Sequence, residues 1–302
     1  MTQPPRLKIA IATYGHTKAI KDGTVAIAGV ERDFVEVVPI IGAFRRMVRD
    51  VEFDVCEMAP TTYMIARALG APFIALPIFL MRRFHHGGFV VRPDSGIKVP
   101  KDLESKKVGV RAYSVTTGVW TRGIFINEYG LDSSKVTWVV DDEEHVTALK
   151  LPPNVAHAPE GKSLQSMMKA GEIQAGFTGP AGVGRAGPPI GGWDKANAAA
   201  AAADTYPELI ANARSLMDAF VAAKKPYLDD LKRGRGDSPE DKRYRNFLSL
   251  MRDPLPYGMK ANRPSIEALI TYSLQQKLIP SRPQLGRVFV DIDPVPINRN
   301  AE

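Results

Sequence analysis

Lys106-Lys107-Val108-Gly109-Val110-Arg111-Ala112-Tyr113-Ser114-Val115-Thr116-Thr117-Gly118 is the stretch that decides the fold. Its first five residues read as a buried strand. The apolar run stops at Arg111 and meets the hydroxyl residues that open helices, so a helix is expected from 115 to Tyr129, closed by Gly130. The same grammar occurs earlier. Residues 7–14 read as a strand ending at Gly15, with further strands expected at 31–41, 53–56, 73–80 and 88–92, and helices at 43–49 and 63–69. Downstream of 106–129 come strands at 135–140 and 173–178 and a helix at 164–170. Strands alternating with helices over short connections make right-handed parallel α/β units, and this chain holds two. Their ligand-facing edges are the C-terminal ends of the strands.

The stretch 179–203 is rich in Gly, Pro and Ala and ends in the run Ala198 to Ala203, which reads as a connection entering a helix. Helices are expected over 206–232 and 263–278, the latter with Pro264 in its first turn, and a strand-like run over 288–292. The implied architecture is α/β and bilobal: a clamshell of two lobes with the ligand cleft between them. Lobe 1 takes 1–92 and 196–302, and lobe 2 takes 93–195.

Composition narrows the function. The chain has 302 residues, 44% of them apolar, which is globular and leaves room for a large core. Its only cysteine, Cys56, excludes a disulfide framework and any zinc site built from several thiolates. Lys and Arg outnumber Asp and Glu by 40 to 33, a net charge of +7. The basic residues are scattered. The densest run, Lys224 to Arg245, also carries Asp229, Asp230, Asp237, Glu240 and Asp241, and so reads as a solvated helix end and loop. Without a basic stripe or a binding motif, nucleic acid is not an expected partner. No run of about 18 apolar residues offers a membrane span, and no apolar leader precedes the first strand, so a cytoplasmic protein is expected. The surplus charge then points to a cleft for a small anion.

Four clusters could carry chemistry. Arg82-Arg83-Phe84-His85-His86-Gly87 combines planar guanidinium forks, suited to carboxylates, with imidazoles that titrate near neutral pH. Adjacent residues of an extended chain face opposite sides, so one of His85 and His86 is expected to face ligand, and the pair is a poor metal site. Ser114, Thr116, Thr117 and Gly118 open a helix, where free N–H groups and hydroxyls suit an anion; the same residues also serve as an ordinary N-cap. Arg111 adds charge there. Asp141-Asp142-Glu143-Glu144-His145 follows a strand; it can form a helix start or bring His145 to a site. Glu57 ends the strand 53–56, where burial would raise its pKa, or it caps the next helix. Tyr14, at a strand end, and Thr61 and Thr62, at a helix start, complete the candidates. Cys56 reads as buried and inert, and His16 and His157 as surface loop residues.

Several segments together resemble one family. They are Asp54 to Met58, Ala75 to Leu80, Arg83 to Gly87, Lys101 to Val110, Thr116 to Trp120, Glu144-His145-Val146, Pro256-Tyr257-Gly258 and Ala261 to Pro264. In this order they closely resemble 4,5-dihydroxyphthalate decarboxylase over 7–178 and 206–290. The resemblance implies a type II periplasmic-binding-protein-like fold turned to enzymatic use in the cytoplasm, in aromatic (phthalate) catabolism. It implies non-oxidative loss of CO2 from an aromatic dicarboxylate by protonation of the carbon bearing the carboxylate, giving a protocatechuate-like dihydroxybenzoate. With that chemistry, the clusters above supply His85, His86, His145 and Glu57 as catalytic candidates, one of the three histidines handling the proton. Tyr14, Thr61, Thr62, Arg82, Arg111, Ser114, Thr116, Thr117 and Gly118 would bind substrate. No cofactor is required and no metal ligand is assigned, although a divalent metal chelating the substrate could act as electron sink. Self-association is left open. The departure is at 179–205, where the family pattern would bring a strand with a Pro-Ile-His-like segment back to lobe 1. Two other readings share the scaffold: a solute-binding receptor for an aromatic or dicarboxylate ligand, and a lyase resembling menaquinone-pathway enzymes.

Overall fold

A computed structural model describes residues 3–183 and 212–295. Expectations that fall on 184–211, including the alanine run, the 195–196 lobe boundary and most of the departing segment, lie outside the described residues. The first sheet is built from β1 (Arg6–Ala10), β2 (Glu31–Phe34) and β3 (Val55–Cys56), in the order β2-β1-β3 and all parallel. Ile9 is the middle of its register, opposite Phe34 and Val55. Helices α1 (Lys18–Lys21), α2 (Ile41–Asp50) and α3 (Pro60–Ala68) connect and flank these strands.

The second sheet contains β4 (Phe89–Val91), β5 (Lys107–Gly109), β6 (Thr137–Val140), β7 (Val155–His157) and β8 (Ala175–Phe177), in the order β4-β8-β5-β6-β7. Only β4 runs antiparallel. Helix α4 (Thr116–Tyr129) follows β5 and ends at Gly130 in the left-handed conformation, the cap expected from sequence. Helix α5 (Leu164–Lys169) lies so close to β5 that a Cβ on Gly109 would sit 2.6 Å from Ile173 and 3.1 Å from Leu164. Two α/β layers with a cleft between them are the fold read from the sequence.

The C-terminal part serves both layers. Helix α6 (Ala213–Lys232) sets Leu216, Met217 and Phe220 against Leu7, Ile9, Ile11 and Ile20 of the first layer. Helix α7 (Pro239–Leu248) adds Tyr244 and Phe247. Helix α8 (Met259–Gln275) packs Ile266, Leu269 and Ile270 into the core that also holds Tyr63 and Val119, and α9 (Leu285–Val288) closes the described chain.

Some expectations are corrected. The run 73–80 forms no strand; Ala75 makes a single bridge to Phe289, because Pro72 and Pro77 bring no N–H to a ladder. Of 288–292, Val288 ends a short helix, Phe289 makes that bridge, and the rest is no strand, since 73–80 offers it no ladder. The strand at 88–92 forms but joins the second sheet, paired with β8. Residues 31–41 stop being a strand at Phe34, and α2 begins at Ile41. The helix expected at 263 starts at Met259, so Pro264 lies within it. The mixed-charge run 224–245 is the solvated helix end and loop expected, with the loop at 233–238, and it also opens a second helix that was not expected. It forms the end of α6 and most of α7, which starts at a reciprocal cap between Ser238 and Asp241. His157 is exposed as expected, but on β7. His16 is not a surface residue: it is 1% exposed, stacked on Tyr14 and flanked by Tyr227 and Tyr244, since α6 and α7 cover it. Cys56 is half-buried rather than buried.

Candidate active site

Between the two layers lies a cleft of about 590 Å³. Its walls gather Tyr14, Glu57, Thr62, Arg82, His85, His86, Arg111, Ser114, Thr116, Thr117 and His145, all candidates from the sequence. Most come from strand ends and helix starts of both layers, as parallel α/β units require, while Arg82 and His85 come from the irregular segment 81–85 and His145 from the loop after β6. Two candidates are set back from the wall. Thr61 lies behind it, its Oγ1 2.7 Å from that of Thr116, and so ties α3 to α4. Gly118 is a packing position, where a Cβ would sit 3.1 Å from Arg122 and Val110.

The first layer supplies an acid. Glu57 follows β3, and its backbone N–H extends the ladder to the Ala10 carbonyl. Its carboxylate accepts from the Tyr14 hydroxyl (2.7 Å) and the Ala12 N–H (3.1 Å). Burial raises the Glu57 pKa, and those two hydrogen bonds only partly offset it. The Tyr14 phenol is pushed up as well, by burial first and then by the Glu57 charge.

The second layer supplies imidazole. His145 is 5% exposed, with Nδ1 3.0 Å from Thr62 Oγ1. Its Nε2 is buried without a hydrogen-bond partner among the described residues. Burial lowers its pKa to about 3, helped by the Arg111 and Arg45 charges. His85 stacks on Trp120 at 5.9 Å, and burial lowers it to about 4. His86 stays exposed beside Phe84. Both line the cleft, against the expectation that only one would, because 81–88 is a bend and a 3-10 turn and not an extended strand; they differ in how far they are covered.

The basic groups divide by element. Arg111 follows β5, is 5% exposed, and pairs with Asp142 at 3.1 Å. Arg82 is held by its backbone N–H, which donates to the Tyr244 hydroxyl (3.4 Å). The guanidinium that reaches α4 belongs to Arg83, which donates to Thr117 Oγ1 at 2.7 Å. Thr116, Thr117 and Gly118 are the first residues of a 14-residue helix, whose opening N–H groups have no intrahelical acceptor. One expected donor is already engaged: the N–H and hydroxyl of Ser114 both bond to Glu144, which also accepts from Tyr113 N–H. Ser114 and Glu144 thus brace the loop before α4.

Apolar side chains make up the rest of the wall, among them Phe44, Met58, Phe79, Trp120 and Leu269. Sequence reasoning did not choose these as site residues, nor Asn262 on α8, whose amide is spent on the Pro256 and Gly258 carbonyls. Trp120 and Asn262 do fall in the segments that carried the family resemblance, the one signal that could have found them. Among the described residues, no three His, Cys, Asp or Glu side chains are grouped to hold a metal ion.

Comparison with known proteins fits this arrangement. Residues 28–185 match the family model described as the periplasmic substrate-binding protein of a phosphonate ABC transporter. A 4,5-dihydroxyphthalate decarboxylase of Comamonas testosteroni is 37% identical over 183 residues, covering 58% of this chain and 55% of that protein. One of Pseudomonas putida is 36% identical over 177 residues, covering 56% of this chain and 68% of that protein. The match thus spans little more than half the length of the Comamonas relative. Among solved structures, the periplasmic aliphatic sulphonate binding protein of Escherichia coli aligns over 100% of this chain and 99% of its own, with a TM-score of 0.55 and 12% identity. A periplasmic sulfonate-binding protein of Methylobacillus flagellatus KT aligns over 96% and 93%, with a TM-score of 0.51 and 10% identity. At such identities these structures speak to fold alone. The relatives, the family model and the bilobal α/β fold together establish that the chain belongs to the 4,5-dihydroxyphthalate decarboxylase family, on a periplasmic-binding-protein-like scaffold.

Proposed function

We propose that the chain is a cytoplasmic, non-oxidative decarboxylase of an aromatic dicarboxylate, 4,5-dihydroxyphthalate or a close relative. The observation that carries this reading is a single cleft in which burial pushes a carboxyl up and an imidazole down. Such opposed shifts move an acid and a base apart in the direction that lets one give and the other take a proton. Arg111, Arg82, Arg83 and the start of α4 orient the carboxylates, and Trp120, Phe79 and Met58 cover the ring. His145 Nε2 takes the proton of the hydroxyl para to the departing carboxylate. The resulting phenolate drives electron density onto the carbon that bears it. Glu57 delivers a proton to that carbon. The bond to the carboxylate then breaks, its electron pair restores the aromatic ring, and CO2 leaves. His145 returns its proton to the phenolate, and solvent reprotonates Glu57, so one proton is consumed per turnover. Protein groups and solvent supply every proton transfer, so the reading calls for no cofactor.

Incubating the pure protein with 4,5-dihydroxyphthalate tests this by following CO2 and the monoacid. Stoichiometric release of both is expected. No turnover, with or without added divalent cation, would remove the proposal. The match to a solute-binding family model favours a second reading, a receptor without chemistry. Calorimetry separates the two, since a receptor would bind the dicarboxylate tightly and return it unchanged.

A further inference from the structure

Helix α2 belongs to the first layer, and the loop 141–145 leaves β6 in the second. Yet α2 grips that loop. Arg45 Nη2 lies 2.9 Å from Asp142 Oδ1 and donates to the Glu143 carbonyl at 3.2 Å. One helical turn on, Arg49 donates from Nε to the His145 carbonyl (3.3 Å) and from Nη2 to the Glu144 carbonyl (3.1 Å) and the Glu143 carboxylate (3.3 Å). The other oxygen of Asp142 receives Arg111 at 3.1 Å. The side chains of Arg45, Asp142 and Arg111 are 5%, 7% and 7% exposed. Phe44, beside Arg45 in the sequence, meets the His145 ring edge-on at 6.2 Å. Three consecutive carbonyls and two carboxylates of one loop are thus fixed by a helix from the opposite layer.

The exposed Arg49–Glu143 carboxylate pair contributes little, but the Arg45–Asp142–Arg111 contacts are shielded from water, so they define position. They also surround His145 with charge. It faces Arg45 and Arg49 from α2, Arg111 from the end of β5, and Asp142 within its own loop, while α3 offers only the Thr62 hydroxyl.

We propose that Arg45 and Arg49 are positioning residues, which reach from the first layer to the loop 141–145 and seat His145 beside Thr62 and Arg111. None of the four clusters read from the sequence included them. The part of this inference that concerns turnover rests on the use of His145 as the base; the seating of the ring does not.

The test uses the full chain and two readouts. Proton NMR of the imidazoles, assigned by comparison with His145→Asn, reports the ring directly. In the wild type the His145 signal should stay at its neutral position from pH 8 to pH 5. In Arg45→Met, removal of a cation should raise its midpoint by at least one unit, and Arg45→Lys, which keeps the charge, should reverse most of that rise. Turnover should fall about tenfold or more in kcat for Arg45→Met, with KM changed less than threefold. An Arg45→Met protein that folds, yet shows the wild-type His145 signal throughout, overturns the proposal. If Arg45→Met does not fold, Arg49→Met at a side chain 26% exposed takes its place, with the same expected direction. Full activity in His145→Asn would remove the base from the proposed reaction, while a shifted midpoint in Arg45→Met would still uphold the seating.

Discussion

At the scale of single residues, the site turns on what burial does to a few titratable groups. Glu57 is raised, and the Tyr14 hydroxyl works against that rise by donating to the carboxylate. Tyr14→Phe therefore lifts Glu57 further. If the protonated carboxyl is the proton donor, the alkaline limb of the pH–rate profile should move to higher pH by about half to one unit, the worth of one hydrogen bond of about 1 kcal/mol. An unmoved limb would separate Glu57 from the proton transfer. Glu57→Gln should lower kcat by about 10²-fold or more, the usual scale of acid catalysis, with little change in binding of an unreactive aromatic dicarboxylate. His85 and His86 show where sequence stops. Alternation along a strand would turn only one inward, but 81–88 is no strand and both line the cleft; nothing in Phe-His-His-Gly says which of them is covered. That depends on Trp120, whose ring lies 11° from parallel to His85 and comes from another element. His85→Ala should thus cost activity and His86→Ala little, measured as kcat/KM side by side.

At the scale of elements, what was legible followed local chemistry. The second layer could be read almost strand by strand because β5, β6 and β8 are enclosed over all but the first residue of β5 and β6 and carry short apolar runs. Glycine and hydroxyl residues marked the ends of α4 for the same reason. The misreadings share a cause: the pattern was local and the answer tertiary. Residues 73–80 are as apolar as a strand but have no partner beyond Phe289, and the helix α7 inside the solvated run went unread because it buries only Tyr244 and Phe247. His16 looked like a surface residue until α6 and α7, some 200 positions away in sequence, covered it. Helix α4 also carries a requirement hidden in the sequence. A Cβ on Gly123 would lie 2.2 Å from the ring of Tyr272 on α8. Gly123→Ala should therefore destabilise the protein by about 1–3 kcal/mol despite better helix propensity, seen as a lower thermal midpoint. A neutral or raised midpoint would mean that α4 and α8 are not packed this closely.

At the scale of the whole molecule, the excess of basic residues says little about stability, whereas three buried imidazoles say a good deal. His16, His85 and His145 are all pushed below the ordinary value, to about 4, about 4 and about 3, with burial the main cause. For His16 the nearby Lys224 adds to burial, and together they outweigh the Leu80 backbone. In the unfolded chain each titrates near 6.5. Between about pH 6.5 and pH 4 the unfolded state therefore binds protons that the folded state refuses. The stability of neutral, buried imidazole is fully present above 6.5 and is lost as pH falls through that window. Each group contributes up to about 1.4 kcal/mol per pH unit, so the three together approach about 4 kcal/mol per unit near pH 5. Glu57 acts in the opposite sense. Its folded pKa is raised, so acid favours the folded state through that group, but it is one against three. Urea unfolding at a series of pH values should therefore show stability falling steeply below pH 6.5, well before ordinary carboxylates titrate. His16→Phe keeps a ring against Tyr14 and removes the titrating nitrogens. It should flatten the slope near pH 5 by about a third, the share of one group among three. A slope identical to that of the wild type would mean that His16 takes up its proton in the folded protein, and that the aromatic box of α6 and α7 admits water.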